Sequence, residues 1–380
     1  MKRLPLRVLP VMLVVLAKAG MAAEPAASSM SPELSTPYVA PAWLPGGDLQ
    51  TIWGTWIARP EVDYRRERWE LPDGDFIDFD WVDGPLDAPL VVLFHGLEGD
   101  AQSAYARHLM RAIQQRGWRG VVAHFRGCSG EENRLPRAYF AGDAAEIERI
   151  LQRLTLSNGG MPVHAVGVSL GGNALLKWLG EAGQNTGGQV NNQASKLVTS
   201  AAAVSAPLDL AASGTALDQG FNRVYTARFL KTLKVKALAK LDRYPLLYDR
   251  QAVEQIETIK AFDTLVTSPL HGYRDADDYW SRAASKPGLR YIDVPTLVIN
   301  ARNDPFMPAE VLPRPDEVSA SVTLDFPETG GHVGFVTGPF PGKSAWLPKR
   351  LLDYFEATRT PTQRVAVRRA ENRSPGGPNR

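Results

Sequence analysis

Short apolar runs and amphipathic stretches alternate through the middle of this chain. LVVLF (90–94), GVVAHF (120–125), VHAVGVS (163–169), SAAAVS (200–205), TLVINA (296–301) and VTLDF (322–326) are mostly continuous in hydrophobicity rather than alternating. A strand with one wet face alternates and a strand covered on both faces does not, so these runs predict a largely parallel sheet. Helical periodicity falls between them, over 101–116, 143–154, 173–182 and 344–357. Upstream, WELP and FIDFDWV, around 69–82, read as an antiparallel hairpin that turns at Asp73 and Gly74. Together the elements predict an α/β architecture, a mostly parallel, doubly wound sheet with right-handed crossovers.

One interval breaks the rhythm. About ninety residues separate the runs ending at Ser205 and starting at Thr296, far more than a single crossover needs. The interval holds helical stretches such as FNRVYTARFLKTLKVKALAKL, which predicts a folded helical lid over 207–290. The sheet core then comprises 37–206 and 291–358. Phe221, Val224, Tyr225, Phe229 and Leu230, with Leu246, Leu247 and Tyr248, are the lid's candidates for lining an apolar pocket, the alternative being that they only pack the lid onto the sheet.

Charge narrows the choice of partner. Lys plus Arg number 43 and Asp plus Glu 41, so there is no basic field to hold a nucleic acid. Cys128 is the single cysteine and can form neither an internal disulfide nor a thiolate metal cluster. No two-histidine, one-carboxylate pattern stands at metal spacing, so no metal and no cofactor are expected. The first 36 residues carry Lys2, Arg3 and Arg7, an apolar run over 8–17 and small residues over 19–23, the outline of a secretory signal. The alternative is an over-extended N-terminus, with Met30 as the start. The segment 359–380 is polar and basic and reads as a disordered tail.

The chemistry centres on GVSLGGN, 167–173. Ser169 ends a buried run and NALLKWLG continues as a helix, so Gly167-Val168-Ser169-Leu170-Gly171 has the strand, tight turn and helix that the G-x-S-x-G nucleophile elbow requires. The alternative is a glycine-rich turn with Ser169 as helix N-cap. A serine needs a base to take its proton and an acid to orient that base. On this kind of sheet they follow in the order Ser, acid, His, each after a strand. His332, in GGHVGF, alone among His95, His108, His124, His164, His271 and itself follows the last strand. Asp304, in RNDPFMP, follows TLVINA; Asp209, after the preceding strand, is its rival. FHGLEGD (94–100) supplies the loop for an oxyanion hole, with the Leu97 and Leu170 N–H groups as donors, Gly96 making the turn and His95 bracing it. GPFPGKS (338–344) is one residue short of a phosphate loop and reads as a turn. Cys128 has no base near it in sequence and reads as part of a loop bracing the site.

These blocks carry a resemblance. PYVAPAWLPGGDLQTIW, FHGLEGD, HFRGCSGEENR, GVSLGGN, FDTLVTSPLHGYRDADDYW, NDPFMP and GGHVGF resemble the YheT-like branch of the α/β-hydrolases, AB hydrolase family 4, over nearly the whole chain between leader and tail. The resemblance implies the α/β-hydrolase fold, a charge relay at Ser169, Asp304 and His332, and hydrolysis of carboxylic esters such as short-chain esters and monoacylglycerols. An acyltransferase or thioesterase on the same triad, or a non-catalytic binding member of the fold, is the alternative. The chain departs from the family at Asp48, where histidine is common, and at Asn303, often aspartate. The resemblance and the lone thiol point to the cytoplasm, the alternative being export or peripheral membrane contact through the N-terminal apolar segment.

Overall fold

Runs that are apolar on both faces can only lie between two covered layers, and they assemble accordingly. The computed structural model describes residues 37–184 and 193–359. Its strands β1 (Arg65–Glu70), β2 (Phe76–Val82), β3 (Leu90–Phe94), β4 (Arg119–Ala123), β5 (Val163–Val168), β6 (Val198–Val204), β7 (Thr296–Ile299) and β8 (Val322–Asp325) form one sheet in the order β1-β2-β4-β3-β5-β6-β7-β8. The β1–β2 and β2–β4 pairs are antiparallel, and every later pair is parallel. All residues of β3, β4 and β5 are buried. Strand β1 is an arginine-rich edge, as a strand that must not pair further should be. Its Arg68 reaches across to the buried Asp78 of β2 at 2.7 Å, and Arg66 pairs with Asp80.

Alternate side chains of a strand point to opposite layers. On one layer Val92, Phe94 and Ala165 pack with Ile147 and Leu151 of α3 (Ala144–Ser157) and with Leu175 and Trp178 of α4 (Leu170–Gly183). On the other, Val91, Leu93 and Val166 pack with Leu109 and Ile113 of α2 (Ala104–Gln115) and with Leu351 and Phe355 of α12 (Trp346–Thr358). A further helix, α1 (Gly47–Trp56), has no counterpart in the sequence reading. A short α5 (Gln193–Leu197) leads into β6.

Between β6 and β7 the chain runs through α6 (Leu210–Leu217), α7 (Arg223–Arg243), α8 (Arg250–Glu254), α9 (Ile259–Phe262), a π-helical turn (Asp263–Thr267), α10 (Ser268–Leu270) and α11 (Ala276–Ala283). Their apolar side chains form a third cluster, which takes in Leu97 after β3, Leu170 after β5 and Phe306 after β7. These helices therefore sit over the carboxyl ends of the strands, the end of an α/β sheet where ligand crevices form. The expected leader (1–36) and the tail beyond Arg359 lie outside the described residues. Among the described residues no helix is long and apolar enough to cross a membrane.

Candidate active site

Strand β5 ends at Val168 and α4 begins at Leu170, leaving a single residue to turn the chain. Ser169 does so at φ 53°, ψ −122°, a backbone state that a side chain disfavours and that must be held from outside. Its N–H donates to the Val204 carbonyl at 2.8 Å, and its own carbonyl accepts from Asn173 at 3.1 Å. The neighbouring Gly171 is required by close approach, since a Cβ there would run into the backbone carbonyls of Phe94 and His95. At Gly167 a Cβ would meet the Gly171–Gly172 backbone, so these two glycines let α4 seat against β3 and β5. The Ser169 side chain makes no cap hydrogen bond. Its Oγ lies 3.0 Å from Nε2 of His332 instead.

His332 stands in the loop after β8, and its Nδ1 lies 2.9 Å from Oδ2 of Asp304, which follows β7. The Asp304 carboxylate is fully buried, and its other oxygen accepts the Phe306 N–H at 2.8 Å. With the Nδ1 proton donated to Asp304, Nε2 is free to accept the Ser169 hydroxyl. The rival Asp209 lies elsewhere, capping α6 by accepting the Ala212 N–H at 3.0 Å.

Four supporting residues escaped the sequence reading. Thr51 Oγ1, on α1, accepts the His332 N–H at 2.8 Å, and Ser205 Oγ accepts the Val333 N–H at 3.0 Å. Gln50 Oε1 accepts from Gly330 N–H at 2.8 Å and from Asn303 Nδ2 at 3.0 Å, while Asn303 Oδ1 accepts from Gly331 N–H at 3.0 Å. The histidine loop is thus tied to α1 and to the loop after β7. The two family departures have plain roles here: Asn303 belongs to that tie, and Asp48 accepts the Tyr225 hydroxyl at 3.0 Å. Nothing in the sequence but the block PAWLPGGDLQTIW hinted at Gln50 and Thr51.

The loop after β3 presents its amides one by one. Gly96 N–H donates to Tyr105 OH and Glu98 N–H to Tyr139 OH, each at 2.9 Å, and Gly99 N–H returns to the Gly96 carbonyl at 3.0 Å. Between them the Leu97 N–H has no acceptor among the described residues. Leu170 is the first residue of α4, where an N–H has no partner within the helix. Leu97 and Leu170 line the same cavity as Ser169 and His332. His95 is fully buried; Phe125 N–H donates to its Nε2 at 3.0 Å, so its Nδ1–H donates to the Gly96 carbonyl at 2.8 Å. Burial pushes its pKa down to about 3, which keeps the ring neutral and the tautomer fixed.

Three of the remaining histidines are engaged elsewhere. His124 bonds Asp80 at 2.9 Å, His164 bonds Ser200 at 2.9 Å, and His271 stacks on Phe140 with ring centroids 4.1 Å apart. The Cys128 thiol is buried, and burial pushes its pKa up to about 11.

The cavity over Ser169 is walled mainly by apolar side chains. Of the eight lid residues expected to line it, only Phe229 does. Phe221, Val224 and Leu246 face solvent, Leu246 almost entirely at 98% exposure. Leu230 packs in the helical cluster and Tyr248 borders a second cavity. The wall comes instead from Leu210 and Leu217 of α6, Leu233 of α7 and Ile259 and Phe262 of α9. The reason is helical facing: Phe229 and Leu233, four apart on α7, share one side, and Val224 does not.

A serine on a strand-to-helix elbow, facing a histidine and an aspartate at the carboxyl ends of a mostly parallel sheet, is the arrangement of an α/β hydrolase. The chain belongs to that family, whose model, described as the alpha/beta hydrolase fold, matches residues 89–339. It is 42% identical to the "Putative esterase YheT" of Escherichia coli (strain K12) over 76% of this chain and 83% of that protein. It is 28% identical to phospholipase ABHD3 of Homo sapiens over 86% of this chain and 80% of that one. It is also 27% identical to the monoacylglycerol lipase of Saccharomyces cerevisiae, over 65% of this chain and 55% of that protein.

Proposed function

We propose that this protein is a serine hydrolase of carboxylic esters, with short-chain esters or monoacylglycerol-like lipids as substrates. The observation that carries the reading is the unbroken chain of contacts from Ser169 Oγ to His332 Nε2 at 3.0 Å and from His332 Nδ1 to Asp304 at 2.9 Å, set at the floor of an apolar cavity. His332 removes the Ser169 proton as Oγ attacks the ester carbonyl carbon, and the carbonyl oxygen becomes an oxyanion that accepts hydrogen bonds from the N–H groups of Leu97 and Leu170. The imidazolium, held in place by Asp304, gives that proton to the departing alcohol. Water then repeats the sequence on the acyl-enzyme and releases the acid. Gly167 and Gly171 serve by giving the elbow the close packing it needs.

The supporting kinship is with proteins named esterase, phospholipase and monoacylglycerol lipase, and the apolar wall suits an acyl chain. A hydrolysis screen of acyl esters and thioesters graded by chain length, run beside Ser169→Ala, tests the reading. Ester turnover that disappears in the variant supports it; turnover unchanged in the variant rejects it.

A further inference from the structure

The lid helix α7 reaches the loop that would hold the oxyanion through one side chain. Lys236 Nζ lies 2.8 Å from Glu98 Oε1, and 3.4 Å from the buried Cys128 sulfur. Glu98 is the residue after Leu97, and it holds a left-handed φ of 55°, a state that a non-glycine residue keeps only when its surroundings impose it. Here the surroundings grip it twice. Tyr139 OH accepts the Glu98 N–H at 2.9 Å and donates back to Glu98 Oε1 at 2.8 Å. Burial pushes the Tyr139 phenol well above its ordinary range, so it stays protonated as that donor. The ammonium of Lys236 then neutralises a carboxylate side chain that is only 8% exposed.

An exposed lysine–glutamate pair holds little, but a carboxylate withdrawn from water needs its cation. Burial disfavours the charge on Lys236, and Cys128 and Glu98 outweigh that, leaving its pKa raised. Without the cation, Glu98 has a reason to swing towards water, and its backbone would lose the left-handed turn with it. That turn, closed by the Gly99 N–H on the Gly96 carbonyl at 3.0 Å, holds the Gly96–Leu97 peptide that carries the Leu97 N–H, as Tyr105 fixes the N–H of Gly96 on the other side. The Leu97 N–H sits between these two pinned groups.

We propose that Lys236 is a positioning residue for the oxyanion hole: carried on α7, it holds Glu98, and through Glu98 it aims the Leu97 N–H. It follows that the hole is complete only when the helical lid is seated. This rests on the serine-hydrolase reading above and adds to it the means by which the lid and the chemistry are coupled. A second cavity bordered by Glu98, Tyr139, Leu233, Lys236 and Tyr248 lies alongside, and methionine, unbranched and close to lysine in length, suits the place of the lysine stem.

The test compares wild type, Lys236→Met, Lys236→Arg, Glu98→Gln and the Lys236→Met/Glu98→Gln double variant. Three quantities are measured on each: kcat and KM on p-nitrophenyl butyrate, affinity for an alkyl trifluoromethyl ketone, and the thermal midpoint. The ketone reports the hole directly, because Ser169 Oγ bonds to its carbonyl carbon, the serine proton passes to His332, and the carbonyl oxygen becomes an oxyanion. Removing one donor outright costs about 10²–10³ in kcat. Misaiming it in Lys236→Met is expected to cost about tenfold to a hundredfold, with KM within about threefold and ketone affinity falling in step with kcat/KM. Lys236→Arg should recover most of the loss, and the double variant should be no worse than Lys236→Met, since both act through one path. A Lys236→Met enzyme with wild-type kcat, or one that loses kcat while keeping ketone affinity, overturns the proposal and leaves the hydrolase reading standing. So does a loss that follows the thermal midpoint and that Lys236→Arg does not rescue. A wild type that neither turns over any ester nor binds the ketone overturns both.

Discussion

Thr51 and His332, 281 residues apart in the chain, meet at 2.8 Å, with the threonine hydroxyl accepting the backbone N–H of the histidine. The same hydroxyl donates to the Gly47 carbonyl at 2.7 Å within α1. The backbone of the proposed base is therefore anchored to an element far away in the chain. Thr51→Val keeps the shape and removes the acceptor. The unsatisfied N–H should loosen the loop, lowering kcat about tenfold or more at nearly constant KM, and Thr51→Ser should keep most of the activity. Steady-state kinetics on one ester checks this; a Thr51→Val enzyme equal to wild type counts against it.

Ser169→Ala should abolish labelling by a fluorophosphonate probe and lower turnover by several orders of magnitude, with a residual rate left by the oxyanion donors. In-gel fluorescence of the wild type and the variant decides the matter. Labelling that persists at another residue would reject Ser169 as the nucleophile.

The two candidate acids separate cleanly by experiment. Asp304→Asn should lower kcat by roughly 10⁴, because an amide at that position favours the wrong imidazole tautomer. Asp209→Ala removes only an N-cap and should cost about 1 kcal/mol of stability with kcat preserved. Denaturant unfolding and kinetics on the two variants give opposite outcomes if the assignment holds, and matching losses of kcat would defeat it.

Phe229 and Leu233 line the cavity while Leu246 stands in solvent. Along a graded series of esters, each methylene buried should improve kcat/KM by up to about 0.8 kcal/mol until the cavity is full. Phe229→Ala and Leu233→Ala should move the optimum chain length, with serine labelling intact, and Leu246→Ala should not. An optimum that none of the three moves would leave these helices without a part in selecting the acyl chain.

Acid should destabilise the fold through its buried histidines. His164, stacked near Phe355 with ring centroids 4.8 Å apart, has its pKa pushed down by burial to about 3. The unfolded chain, near 6.5, binds the proton first, so the stability from a neutral His164 is fully present above pH 6.5 and declines as pH falls below it towards 3. At pH 4.5 the decline amounts to as much as about 3 kcal/mol. His164→Phe should flatten that acid limb without touching the active site, a difference that urea unfolding at pH 7 and pH 4.5 will measure. An unchanged limb would mean that His164 does not titrate in this range.

Much of the architecture can be read locally. Continuous apolar runs marked β3 to β8 to within about two residues, because a strand covered on both faces must be apolar at nearly every position, and only β8, at the sheet edge, is half-buried over most of its length. The setting of Ser169 was equally legible, since a glycine-flanked serine between a buried strand and a helix is a local feature, as was the placing of His332 and Asp304 after the last two strands. Even the helical character of the chain between β6 and β7 followed from periodicity.

What the sequence could not decide was which distant groups meet. Asp304 and Asp209 each follow a strand, and only the packed structure puts one at 2.9 Å from His332 and the other at the start of α6. Gln50 and Thr51 lie on a helix whose Pro-Gly-Gly opening hid it, and their contacts with the histidine loop span 280 and 281 residues. The apolar content of α7 foretold burial but not against what, so Phe229 was named with residues that face water. The physical reason is one of range. Backbone preference and apolar periodicity act over a few residues and settle the elements, whereas the contacts that build the site follow from strand order, helix facing and the close approach of loops, which exist only once the whole sheet has formed.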